Sequence, residues 1–96
     1  MAVSDLIERK REEIIRIATR HGAENVRVFG SAARGEAGPS SDVDLLVEMT
    51  PDHSPWFPAG LTIDLEDLLG RRVHVVTAEA LHPYLRERVL AEAVPL

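Results

Sequence analysis

The sequence contains no cysteine, and this absence removes a whole group of possible sites. Disulfide bonds, thiolate metal centres and cysteine nucleophiles are all excluded, so a bound metal would need oxygen or imidazole ligands. A chain without cysteine also suits a reducing compartment such as the cytoplasm. Any metal chemistry in this chain would therefore use Asp, Glu or His side chains.

Long apolar runs and an excess of positive charge are missing as well. No stretch approaches the roughly 20 apolar residues that a membrane-spanning helix needs, and the N-terminal sequence MAVSDLIERKREE is charged and amphipathic, unlike a signal peptide. The formal net charge of −5 disfavours broad binding to a phosphate backbone, which depends on a basic surface. We therefore expect a soluble cytoplasmic protein with no membrane partner and no direct nucleic-acid partner.

The remaining composition is that of an ordinary globular chain. Of its 96 residues, 45% are hydrophobic and 28% are charged, which is far from the composition of a disordered segment. A chain of this length can build one modest core but not two. We expect one domain that spans residues 1–96.

Hydrophobic periodicity and turn residues predict an α+β fold with the order α-β-α-β-α-β, in which helices pack on a small mixed sheet. The loop from Gly30 to Ser41 is rich in small residues and has room for one helical turn. A further helix is predicted near the end of the chain. The predicted segments are a helix at 5–20, strands at 26–29, 42–47 and 72–76, and helices at 59–69 and 83–93.

The second predicted strand carries two acidic residues. The two-residue period of a strand places Asp42 and Asp44 on one face and Val43, Leu45 and Val47 on the other. Two carboxylates about 6.6 Å apart along a strand repel each other unless water or a cation screens them. Such a pair, taken alone, is also compatible with the solvent-facing side of an amphipathic strand. With waters and substrate phosphates, however, it is the kind of oxygen ligand set that Mg²⁺ prefers.

The turn after the first strand has the properties of a phosphate-binding loop. Gly30 lets phosphate oxygens approach the backbone, and the following turn can direct amide N–H groups and the Ser31 hydroxyl at them. Arg34 can add a charge-assisted hydrogen bond to a phosphate. A strand that ends in Gly-Ser is common for purely structural reasons, so only its combination with the acidic pair favours a phosphate site.

Together these residues resemble the minimal nucleotidyltransferase family, part of the superfamily that includes DNA polymerase beta. The family pattern is Gly-Ser, ten residues, then Asp-x-Asp, which Gly30-Ser31 and Asp42-Val43-Asp44 match. Arg34-Gly35 and Ser41 also resemble the pattern. The resemblance implies a nucleotidyltransferase fold, with Mg²⁺ or Mn²⁺ at Asp42 and Asp44. It also implies that Gly30, Ser31, Arg34 and Ser41 bind ATP.

His74 departs from the family pattern. A third carboxylate is typical of the strand that follows the Leu-Gly turn, and this sequence has His74 there. The imidazole could ligate a metal or act as the base that accepts a proton from the acceptor hydroxyl, so His74 joins Asp42 and Asp44 as a candidate catalytic residue. It could equally be a strand histidine in a site that no longer turns over.

The resemblance implies two hypotheses about function. In the first, the chain transfers AMP from ATP to a hydroxyl of a helical HEPN toxin and is the antitoxin of that pair. The chain leaves no residues for a second domain to hold the acceptor, which is why we expect a partner protein to complete the site. In the second hypothesis, catalysis is impaired and the chain neutralises its partner by binding alone.

Trp56 and Phe57 form the one aromatic pair in the sequence, within a segment that contains Pro51, Pro55 and Pro58. They could anchor a partner protein, or they could fold back over a small core. The sequence leaves both interpretations open.

Overall fold

The computed structural model describes residues 3–36, 38 and 41–96. It confirms an α+β fold with a mixed sheet. The elements, in chain order, are α1 (Val3–Arg9), α2 (Arg11–Arg20), β1 (Ala23–Phe29), β2 (Val43–Met49), α3 (Ala59–Leu69), β3 (Val73–Thr77), α4 (Pro83–Glu92) and β4 (Val94–Pro95), with a short 3-10 helix at Ala78–Ala80.

The described strands form one sheet in the order β3-β2-β1-β4. β1 pairs antiparallel with β2 and with β4, whereas β2 and β3 run parallel. The parallel pair is possible because α3 carries the chain from the end of β2 back to the start of β3. β2 therefore lies inside the sheet, with a partner on each side.

The core lies between one face of this sheet and α1, α2 and α3. In α3, apolar residues recur every four positions, which gives the helix one buried stripe. The alternation of β2 is as predicted, because Val43, Leu45 and Val47 belong to this core while Asp42 and Asp44 do not. The helices contribute Ile7, Ile14, Ala18, Leu61, Leu65 and Leu69, and the flanking strands contribute Val28, Val73 and Val75.

The first predicted helix is two helices. α1 ends at Arg9 and α2 begins at Arg11, because Lys10 has φ −102° and ψ 11°, outside the regular helical range. Hydrogen bonds continue across this break, since the Lys10 N–H donates to the Leu6 carbonyl (3.0 Å) and the Ile14 N–H donates to the Lys10 carbonyl (2.9 Å). The apolar stripe continues too, which is why periodicity alone predicted one element.

β1 begins three residues before its predicted start at residue 26. Its polar residues Glu24 and Asn25 are exposed and break the alternation, Asn25 has φ +50°, and the pairing with β2 shifts register between Glu24 and Arg27. A bulge of this kind adds an unpaired residue and hides the two-residue period that sequence reasoning uses. The prediction of a shorter strand was wrong for that reason.

β4 was not predicted. It has only two residues, and its proline is tolerated because a sheet edge does not need every N–H group. Val94 pairs with Val28 and Pro95 with Arg27, and the Leu96 N–H donates to the Val26 carbonyl (3.2 Å). This pairing attaches the end of α4 to the edge of β1.

The two adjacent aromatic residues of the proline-rich segment have different surroundings. Phe57 is partly buried and packs against the core, whereas the Trp56 side chain is 77% exposed. Folding back over the core is thus correct for Phe57 only. None of the described helices is both long and apolar enough to cross a bilayer.

Candidate active site

The parallel register of β2 and β3 brings the acidic pair and His74 together. Asp44 is the register partner of His74, so their side chains share a face of the sheet. His74 Nε2 lies 3.1 Å from Asp42 Oδ2, and the two side chains are 50% and 43% exposed respectively. All three residues that the sequence proposed for chemistry therefore lie in one place.

The Asp44 carboxyl is partly buried. Burial raises the pKa of the Asp44 carboxyl above its ordinary value, and the negative charges of Asp42 and Glu92 act in the same direction. His74 and Arg34 oppose this effect. The raised pKa means that burial disfavours the ionised form of Asp44, so a cation bound here would stabilise that form.

Gly30 places the candidate phosphate-binding turn directly against Asp44. It has φ +75°, and an added Cβ would lie 2.3 Å from Asp44 Oδ2. The neighbouring residue Phe29 pairs with Asp44 across β1 and β2, which explains the close approach. The turn is closed by a hydrogen bond from the Arg34 N–H to the Gly30 carbonyl at 3.2 Å, so it is the single helical turn that the small-residue loop allowed.

The N–H and guanidinium groups of this turn already have an anionic partner. The Gly30 N–H donates to Glu92 Oε2 at 3.3 Å, and Arg34 Nη1 donates to Glu92 Oε1. Arg34 Nε also donates to Glu36 Oε1 at 2.7 Å. Sequence reasoning missed Glu92, because one acidic residue on a helix gives no signal of a contact with a turn 62 residues earlier.

The two serines lie in the same loop but take part in different contacts. The Ser31 carbonyl accepts a hydrogen bond from the Glu36 N–H at 2.9 Å, and the half-buried Ser41 hydroxyl accepts one from the Gly38 N–H at 2.8 Å. In this arrangement Ser41 stabilises the loop backbone. Their contacts with phosphate remain predictions.

The carboxylates of the candidate site suit a hard divalent cation that takes its other ligands from a phosphate-containing substrate. Within residues 3–36, 38 and 41–96, no group of three or more His, Asp or Glu side chains is arranged to hold a metal ion by itself. Asp42 and Asp44 provide carboxylate oxygens on one sheet face, and Mg²⁺ commonly combines one or two carboxylates with substrate phosphates and waters. The residues present therefore fit Mg²⁺ or Mn²⁺ bound together with a triphosphate.

A separate apolar groove of about 450 Å³ lies where α1 meets the strands β1 and β4. Its lining includes Ile7, Val28, Ala32 and Leu96, and none of the proposed catalytic, metal or phosphate residues. Val28 belongs to the core side of the sheet, opposite Asp42 and Asp44. We therefore assign this groove no part in the candidate site.

Comparison with known sequences agrees with this geometry. Residues 7–96 match the family described as "Nucleotidyltransferase domain". "Putative protein adenylyltransferase MJ0435" of Methanocaldococcus jannaschii is 40% identical over 84 residues, covering 88% of this chain and 90% of that protein. "Protein adenylyltransferase MntA" of Thermococcus cleftensis is 40% identical over 91 residues, covering 86% and 92%.

Solved structures show the same fold. A structure described as a "putative minimal nucleotidyltransferase" is 47% identical, has a TM-score of 0.86 and covers all of this chain (100%) and 97% of its own. A "toxin-antitoxin with AMP-PNP" is only 20% identical but has a TM-score of 0.74 over 88% of this chain and 69% of that one, so it supports the fold alone. The family match over residues 7–96, together with relatives that are 40% identical, shows that this chain belongs to the nucleotidyltransferase domain family.

Proposed function

We propose that this chain transfers AMP from ATP to a hydroxyl of a helical HEPN toxin, and that it is the antitoxin of that toxin–antitoxin pair. The observation that carries the proposal is the convergence of Asp42, Asp44 and His74 beside the Gly30 turn. Relatives that are 40% identical and are named as protein adenylyltransferases support the transfer. The choice of a toxin as partner follows the description of a structure with the same fold, a "toxin-antitoxin with AMP-PNP".

The proposed reaction is a displacement at the α-phosphorus of ATP. The acceptor hydroxyl oxygen forms a bond to that phosphorus, the bond to the bridging oxygen breaks, and pyrophosphate leaves with the electron pair. Mg²⁺ or Mn²⁺, when bound by Asp42 and Asp44, supplies positive charge that offsets the charge of the triphosphate. His74, on the same face, is the candidate base for the hydroxyl proton.

The turn after β1 is the proposed phosphate site. The Gly30 N–H and the Arg34 guanidinium already donate to a carboxylate, which shows that both are directed at an anion. Carboxylate and phosphate oxygens accept the same charge-assisted hydrogen bonds. We assign Gly30 and Arg34 to the triphosphate on this ground, and Ser31 and Ser41 on their place in the same loop.

A second candidate function is neutralisation of the toxin by binding, without nucleotide transfer. The observation that favours it is the hydrogen bond between His74 Nε2 and Asp42 Oδ2. This bond engages Asp42, a carboxylate that the transfer mechanism needs as a metal ligand. His74 itself occupies the position at which the family resemblance implies a third carboxylate. In this case the partner surface would be retained while the catalytic site is impaired.

Label transfer separates the two functions. The chain would be incubated with isotopically labelled ATP, with Mg²⁺ or Mn²⁺, and with the product of the adjacent reading frame as the partner to be tested. The masses of the partner's peptides would then be measured. We expect an AMP adduct on a hydroxyl side chain, with no adduct when Asp42→Asn and Asp44→Asn are combined.

The same samples provide the contrary result. If the wild-type chain binds and inhibits the partner but leaves it without an adduct under both metals, transfer is refuted and neutralisation by binding remains. A partner that is neither bound nor modified would contradict both functions.

A further inference from the structure

Glu92 occupies the anion-binding groups of the candidate site from the far end of the chain. It is the last residue of α4, and its two carboxylate oxygens accept hydrogen bonds from the Gly30 N–H and from Arg34 Nη1. Its side chain is 25% exposed, against 51% for Arg34. The contact thus joins α4 to the turn that follows β1.

These are the same donors that a triphosphate would use. A backbone N–H at a glycine turn and a forked guanidinium suit phosphate oxygens as well as carboxylate oxygens. A hydrogen atom that is donated to Glu92 Oε2 is not free for a phosphate oxygen. Glu92 and a bound triphosphate therefore compete for Gly30 and Arg34.

Charge repulsion also disfavours a site that holds the Glu92 carboxylate and a triphosphate at the same time. Glu92 lies close enough to Asp44 for its charge to act on that carboxyl. A triphosphate added beside Asp42, Asp44 and Glu92 would place several negative charges in one small region, which costs free energy unless one of them moves away. Glu92 can move, since its carboxylate lies at the end of a partly exposed side chain at a helix end, whereas Asp44 lies within β2 and Asp42 is hydrogen-bonded to His74.

The backbone around Glu92 is held in place, so only its side chain needs to rotate. The Ala93 N–H donates to the Val89 carbonyl at 2.8 Å, and Val94 then pairs with Val28 in the sheet. This attachment keeps the Glu92 backbone close enough for its carboxylate to reach Gly30 and Arg34 again when the side chain rotates back.

We propose that Glu92 is an internal substitute for substrate phosphate: it occupies the Gly30 and Arg34 donors in the free protein, and a triphosphate binds by displacing it. This inference rests on the proposed nucleotide site and adds a regulatory step to it. The apparent affinity for triphosphate is reduced by the fraction of molecules in which Glu92 holds the donors. It also means that loss of one carboxylate improves substrate binding.

The test compares Glu92→Ala and Glu92→Gln with the wild-type chain. The probe is inorganic tripolyphosphate with Mg²⁺, which needs neither adenine recognition nor an acceptor, and its binding is measured by titration calorimetry. We expect about tenfold tighter binding for Glu92→Ala, as for a competitor that holds nine molecules in ten. Glu92→Gln should be intermediate, because the neutral amide keeps an acceptor oxygen but loses the charge.

Glu87→Ala is the matched control. Glu87 lies in the same helix with an exposed side chain, and its removal changes the net charge by the same amount. It should leave tripolyphosphate affinity at the wild-type value. Circular dichroism of each variant checks that α4 is retained, and Glu92→Gln keeps the side-chain volume if Glu92→Ala is unstable.

The proposal is overturned if both Glu92 variants bind tripolyphosphate with wild-type or weaker affinity, since Glu92 would then be a structural anchor for Arg34. Failure of the proposed transfer looks different. In that case the Glu92 variants bind tripolyphosphate more tightly, and the wild-type chain still gives no AMP adduct on its partner. An adduct with wild type, combined with unchanged affinity in the variants, refutes only the role of Glu92.

Discussion

At the scale of single residues, Gly30 is the position where backbone geometry and proposed chemistry depend on the same atoms. We expect Gly30→Ala to lower the free energy of unfolding by roughly 1–3 kcal/mol, because φ is +75° and the new Cβ would lie 2.3 Å from Asp44 Oδ2. ATP binding should be lost with it, since Asp44 has to move. Denaturant unfolding and calorimetry measure the two effects.

Gly35→Ala is the control for this substitution. Gly35 has φ +73°, but an added Cβ would meet nothing within 4 Å. It should therefore show only the conformational cost of a left-handed residue, about 1–2 kcal/mol, and retain ATP binding. Equal loss of binding in the two variants would contradict a specific role for the Gly30 contact.

The acidic pair carries the second residue-scale prediction. Combining Asp42→Asn with Asp44→Asn should abolish metal-dependent ATP binding and leave the fold intact, because a neutral amide is a far weaker ligand for a divalent cation. The free energy of unfolding should stay the same or rise by roughly 0.5 kcal/mol, since burial already disfavours the charge on Asp44. Unchanged Mn²⁺-dependent ATP affinity in calorimetry would contradict the assignment of the metal site.

His74→Asp tests what the departure from the family pattern does. A third carboxylate adds a negative oxygen ligand beside Asp42 and Asp44, which favours Mg²⁺ over softer ions. We expect it to increase the rate of Mg²⁺-dependent AMP transfer to the partner, measured by mass spectrometry of the adduct. His74→Ala removes the imidazole without adding charge, so it should not increase the transfer rate. A similar increase in both variants would show that the His74–Asp42 hydrogen bond inhibits transfer and that the added carboxylate has no effect.

At the scale of elements, the start of β3 is held by a side chain of α3. The Val73 N–H donates to Glu66 Oε2 at 3.0 Å, and the Val43 N–H donates to the Arg72 carbonyl at 2.9 Å. Glu66→Ala leaves the partly buried Val73 N–H without its acceptor, which should cost roughly 1 kcal/mol of stability. Faster hydrogen exchange at the Val73 amide should accompany it.

Glu66→Gln and Asp67→Ala complete that experiment. The glutamine keeps an acceptor oxygen and should restore most of the stability, while Asp67 is the exposed neighbour in the same helix and should change it by less than about 0.5 kcal/mol. Should Asp67→Ala destabilise the chain as much as Glu66→Ala, general helix propensity and not the link to β3 would be responsible.

Particular elements show how far sequence reasoning could go. β2 was predictable because acidic and apolar residues alternate from Asp42 to Leu45, and its register with β3 then puts Asp44 beside His74. β4 was not, because two residues have no periodicity and their pairing with β1 depends on where α4 ends. Glu92 escaped prediction for the same reason, since its contacts are set by that long-range pairing and not by any local pattern.

At the scale of the whole molecule, charge gives a prediction about partners. The net charge is −5, and Asp42, Asp44 and Glu92 lie at the proposed substrate site. We expect no measurable binding to a fluorescent DNA duplex or RNA strand at about 0.15 M salt, where Debye screening is near 8 Å. Anisotropy measures this. Binding that weakens steeply with added salt would reveal a basic surface and contradict the prediction.

The register between β2 and β3 limits how many residues can separate α3 from β3. Val73 and Val75 are buried on either side of His74, so inserting one residue after Gly70 would force either the valines out of the core or the imidazole off the face of Asp44. Insertions among the exposed residues Pro51–His53 shift no strand partner of this kind. Length variation among descendants of this sequence should therefore accumulate in the proline-rich segment and be purged from the short turn before β3.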